Sequence, residues 1–102
     1  MTEIIRGTTP SIQYTYRTVN VANITVAVLT IKQGDTLLVE KDLSTATVAQ
    51  KTITWTLTQE NTLLMKPGDV TVMVNWLLND GTRGASRKKT YGVLDNDKNE
   101  VI

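Results

Sequence analysis

A chain of 102 residues with eleven basic against ten acidic side chains, a net charge of +1, and neither histidine nor cysteine is tightly bounded in what it can do. At this length one core forms, burying roughly 60–68% of the unfolded surface without staples, so residues 1–102 read as a single domain. The even charge supplies no steering field for DNA, RNA or anionic lipid, and the missing residues remove disulfides, thiolate and imidazole nucleophile pairs, and the common zinc sites.

The N-terminal MTEIIRGTTP has no basic segment followed by a long apolar run, and no stretch approaches the roughly 18 apolar residues of a membrane span. The sequence therefore reads as soluble and unexported by the usual signal. Ser11 to Tyr16 alternates, with Ile12, Tyr14 and Tyr16 on one face, and predicts a half-buried strand. Val19 to Asn23 reads as irregular. Ile24 to Gln33 is apolar on both faces in its middle, where Val26 and Val28 oppose Ala27 and Leu29, which suits a central or covered strand. Gly34 to Thr36 is a tight-turn signal, and LLVEKDL after it reads as the hairpin partner. Ser44 to Lys51 again reads as irregular.

The cleanest alternation is Thr52 to Thr58, with Ile53, Trp55 and Leu57 inward and threonines outward. LTQENTLLMKPGD follows, and it predicts one helical turn within Gln59 to Met65. Thr58 is placed to cap it, Glu60 lies in the first turn where the helix dipole favours an anion, Leu63 and Leu64 are expected to fold onto the core, and Pro67-Gly68 ends it. Such a turn carries a Greek-key chain from one sheet to the other. Val70 to Leu78 and Thr82 to Val93 then flank Asn79-Asp80-Gly81, a hairpin signal because these residues tolerate positive φ. The expected fold is all-β: an immunoglobulin-like antiparallel β-sandwich of six or seven strands with one short helical crossover, a small closed barrel being the competitor.

Few groups of chemical interest stand out. Only carboxylate or lysine chemistry is open to an enzyme, and no cofactor motif is found. Asp95 and Asp97 resemble the start of a calcium loop, but neither its glycine nor its twelfth-position glutamate follows, so Asp95 to Glu100 reads as a polar tail. Gly81 and Gly84 flank Arg83 after a hairpin turn and open no helix, which argues against a phosphate cradle. The basic run Arg83, Arg87, Lys88 and Lys89 is either a contact for a polyanion or acidic partner, or an edge strand guarded by lysine against strand addition. Trp55 is expected in the core. Trp76 shares the face of Val74 and Leu78, while Met73 and Leu77 make the other face of that segment apolar too, as if another subunit covered it. Val101 and Ile102 form an apolar end after the polar tail.

Four segments, IIRGTTPSI at Ile4 to Ile12, LTQENTL at Leu57 to Leu63, NDGTRGAS at Asn79 to Ser86, and Val101-Ile102, resemble a family of small proteins from the structural gene clusters of phages and prophages of Gram-positive, especially clostridial, bacteria. The chain departs from the family's pattern at Asn61, where an acid is usual, and at Lys66-Pro67, where an apolar residue precedes the next strand. The resemblance implies a non-enzymatic virion or tail-related protein, made in the host cytoplasm and carried in the virion. Its expected partners are other virion proteins and copies of itself, with no nucleic acid and no membrane. Arg83, Arg87, Lys88, Lys89, Val101 and Ile102 are the candidate interaction residues. A carbohydrate- or host-surface-binding module of the same architecture is the alternative, and it requires Tyr14, Tyr16, Trp76 or Tyr91 to face outward.

Overall fold

The computed structural model describes residues 2–102. Nine strands form two sheets: β1 (Thr2–Ile5), β2 (Ser11–Thr15), β3 (Ile24–Gln33), β4 (Thr36–Asp42), β5 (Thr47–Val48), β6 (Thr52–Thr56), β7 (Gly68–Leu78), β8 (Arg83–Ala85) and β9 (Lys89–Leu94). A single α-helical turn, α1 (Gln59–Leu63), lies between β6 and β7. The larger sheet runs β1-β9-β7-β3-β4, with β8 also paired to β7, and the smaller runs β2-β6-β5. Thus β7 lies between β3 and β9 as the F strand of an immunoglobulin domain lies between C and G, and β6 lies between β2 and β5 as E lies between B and D. The all-β sandwich and its helical crossover are as the sequence predicts. Among the described residues no helix is long and apolar enough to cross a membrane.

The strand count exceeds six or seven for three local reasons. Ile4 and Ile5 lie in an added strand, β1, which pairs with β9 in parallel, an exception to the antiparallel expectation. Ser44 to Lys51 contains the two-residue β5 against β6. The long final strand is split: Asn75 faces Ala85 while Val72 faces Lys89, so one extra residue sits between β8 and β9. That is a β-bulge, which bends the strand and frees residues from the ladder. Val19 to Asn23 holds a short 3-10 turn at Val21–Asn23, capped by Asn20.

The sheets enclose one apolar cluster. Ile12, Ile53, Trp55 and Leu57 come from the smaller sheet and its extension, and Leu29, Ile31, Val39, Val70, Val72, Val74 and Val93 from the larger. Trp55 is fully buried, and its indole N–H donates to the Asp42 carbonyl at 2.9 Å, which satisfies the one polar atom it carries into the core. The outward residues of β3 and β7 include Val26, Leu77 and Met73, so these central strands are apolar on both faces, as predicted.

Candidate functional site

Two places on the sandwich gather the residues singled out by the sequence. At one pole the Arg6–Thr8 loop, α1 and the C-terminal tail meet. Thr58 caps α1 by accepting from the Asn61 backbone N–H at 3.1 Å, and the Asn61 amide oxygen accepts from the Thr58 N–H at 2.9 Å. Asn61 therefore completes the reciprocal capping box that glutamate more often supplies. The helix does not bury Leu63 and Leu64 as expected: Leu63 is half-buried and Leu64 is 57% exposed, while Thr62 and Met65 are fully buried. The spacing of three residues puts Thr62 and Met65 on one face of the turn. The Thr62 hydroxyl accepts from the Gly7 N–H at 2.9 Å and donates to the Thr8 carbonyl at 2.8 Å, pinning the N-terminal loop to the helix.

The tail closes the same pole. Arg6 donates to the Leu63 carbonyl and pairs with Asp95 at 3.3 Å, and the Asn96 amide donates to the Arg6 carbonyl. The Asn96 N–H, and then Arg6, hold the Asp95 carboxyl below the usual carboxylate range. Beyond Asn96 the chain is held by exposed hydrogen bonds alone, from the Lys98 N–H to the Asn96 side chain, from the Asn99 amide to Asp95, and two between the Gln59 amide and the Ile102 backbone, while Lys98 pairs with Glu100 within the tail. Val101 and Ile102 are 54% and 87% exposed.

The second place is a cleft of about 490 Å³ between the sheets, where β2 faces the β8–β9 bulge. Ile12, Tyr14, Val72, Val74 and Tyr91 supply its apolar lining, and Gln13, Ser86, Arg87, Lys88 and Lys89 its polar rim. The bulge makes this site. As β8 leaves the ladder, the Ser86 hydroxyl takes over as acceptor for the Val74 N–H at 2.9 Å, and Arg87 and Lys88 fall outside strand pairing. No carboxylate lines the cleft, and among the described residues none of its three cations makes an ion pair. Lys89 instead sits over the Tyr91 ring, 5.2 Å from its centroid. Among the described residues no strand lies beside the outer edge of β2.

Of the candidate residues the structure brings together Arg87, Lys88 and Lys89. Arg83 lies apart, on the outer face of the larger sheet beside Val26, Val28 and Leu77, and donates to the Asn75 side chain at 3.3 Å. Val101 and Ile102 lie at the pole, separated from Lys89 by the length of β9, roughly 17 Å. The apolar lining escapes sequence reading, because nothing local reveals that β2 and β9 face each other across the sandwich. Gly84 is a local signal for the packing of Trp76. Gly84 lies opposite Trp76, and a Cβ there would come within 2.5 Å of the indole ring. Glycine lets the ring lie flat on the strand.

All five aromatic side chains are buried or half-buried. Trp76 packs against Gly84 on one side and Tyr14 and Tyr16 on the other, with ring centroids 5.4 and 4.9 Å away. Tyr16 is 3% exposed and its hydroxyl finds no partner among the described residues. Burial, and to a smaller degree Tyr14, pushes its phenol well above the ordinary value of 10.0. No family model matches the chain, and no curated protein and no solved structure matches it.

Proposed function

We propose that this protein is a non-enzymatic structural component of a phage particle, virion- or tail-related, that acts by binding copies of itself or neighbouring virion proteins. The observation that carries this reading is the cleft beside the free edge of β2. An apolar lining, an unpaired strand edge and three cations without carboxylate partners together make a surface suited to an extended protein segment. The apolar outer face of β3 and β7 offers a second contact area. Family-like segments along the chain point to the phage setting, and the missing histidine and cysteine remove the commonest catalytic groups.

Burial of the aromatic side chains favours assembly over the carbohydrate- or host-surface-binding alternative, which needs exposed rings. The test is light scattering across a concentration series together with incorporation into particles assembled with the products of neighbouring genes. The expected result is a mass above that of the 11.3 kDa chain or recovery in particles. A chain that stays monomeric, enters no particle and binds a glycan tightly would overturn the reading.

A further inference from the structure

Resting on the assembly reading, we propose that the cleft takes the tail Asp97–Ile102 of a second copy of this chain. Charge and hydrophobicity both match. The rim carries Arg87, Lys88 and Lys89 with no acidic neighbour, and the tail carries Asp97 and Glu100 against the single cation Lys98, a net negative segment followed by two exposed aliphatic side chains. Seated on the lining of Ile12, Val72 and Tyr91, Val101 and Ile102 would leave water, and the acids would meet the cations at the rim. About 490 Å³ lies within the range of pockets that enclose ligands of roughly this bulk, about 300–1,000 Å³.

Backbone pairing supports the same occupant. The outer edge of β2 is an open row of donors and acceptors, and an extended tail laid beside Gln13 adds a strand to the smaller sheet. The tail is also free to leave its present place. Asn96 is fixed to Arg6, but from Asp97 onward only exposed contacts hold it, and six extended residues reach roughly 20 Å. Cleft and tail are different surfaces, so each copy would receive one tail and offer another. Reciprocal exchange of the two tails closes a two-fold dimer, and one-way exchange builds a ring or an open filament.

The test uses the full chain at low ionic strength, where rim charges count most. Removing Val101 and Ile102, or making Arg87→Glu, Lys88→Glu and Lys89→Glu together, should weaken self-association at least about tenfold in light scattering while leaving the melting temperature near the parent's. Mixing the charge-reversed cleft with an Asp97→Lys, Glu100→Lys tail should restore mixed assemblies. Because the chain has no cysteine, Lys88→Cys and Ile102→Cys in separate preparations should also give a mixed disulfide when combined under oxidising conditions. If parent and variants associate alike, tail docking is wrong and assembly through another surface stands. A parent that is monomeric at every concentration, including one whose tail folds into its own cleft, also overturns the proposal; particle incorporation then decides the broader reading separately.

Discussion

The pole and the cleft are built from the same kinds of residue to opposite ends. At the pole, polar side chains turn inward and close on backbone: Thr62 holds Gly7 and Thr8, Asn61 holds Thr58, and Arg6 holds Leu63 and Asp95. Around the cleft the ladder is interrupted, Arg87 and Lys88 are exposed, Lys89 lies over the Tyr91 ring, and none of the three makes an ion pair among the described residues. The residues around α1 and the Arg6–Thr8 loop act as fasteners. A capping motif in a small domain can therefore mark what holds the chain together, while unpaired cations gather where local strand pairing fails.

The core sets the scale against which that contrast is measured. Trp55→Ala should cost about 3–5 kcal/mol, since it empties the largest fully buried side chain and abandons the hydrogen bond to Asp42. Chemical denaturation of this variant beside Thr56→Ala, an exposed neighbour on the same strand, checks it. Equal midpoints for the two would mean that β6 does not face the core.

Thr62→Val tests the pole. The side chain keeps its shape but strips the Gly7 N–H and the Thr8 carbonyl of their partner, and a buried group left unsatisfied costs about 1–3 kcal/mol. Amide exchange at Gly7 should quicken together with the fall in stability. A loss below about 0.5 kcal/mol would show that the loop is held by other contacts, and the contrast with the cleft would vanish.

Tyr16 gives a pH-dependent test. Its phenol is held neutral above the ordinary value, so the folded state retains a proton that the unfolded chain gives up. The stability this provides is complete at pH values below 10.0 and is lost as pH rises through and beyond that value. Unfolding free energy should fall above pH 10.0, by up to about 1.4 kcal/mol per pH unit for this one group. In Tyr16→Phe that part of the slope should disappear, and at neutral pH the variant should be as stable as the parent or slightly more so, because the hydroxyl removed has no partner.

What was legible in the sequence follows the range of the forces involved. Alternation at Ile53, Trp55 and Leu57 reports a sheet face directly, and all three are fully buried. The Thr58 cap and the Asn79–Gly81 hairpin are chemistry within a few residues, so both could be read. The helix face is harder to read: hydrophobicity alone predicts burial of Leu64, whereas Thr62 is buried because its hydroxyl is satisfied by a loop 54 residues earlier. The cleft was legible in its cations and hidden in its lining, since Ile12 and Tyr91 become neighbours only when the two sheets pack.

The smallest expected effect sharpens the comparison most. Arg87→Glu with Lys88→Glu should change the stability of the isolated chain by less than about 0.5 kcal/mol, because both side chains are exposed, neither makes an ion pair among the described residues, and their backbone lies outside the ladder. Reversing two charges on a rim of three cations also turns their repulsion of Lys89 into attraction, so a slight gain is compatible with the same picture. Thermal melts in dilute buffer and in high salt separate the two contributions, since repulsion at a surface fades with ionic strength. A loss of 1 kcal/mol or more that persists in high salt would mean that these residues hold the fold as Thr62 does, and that the cleft belongs with the pole and not against it.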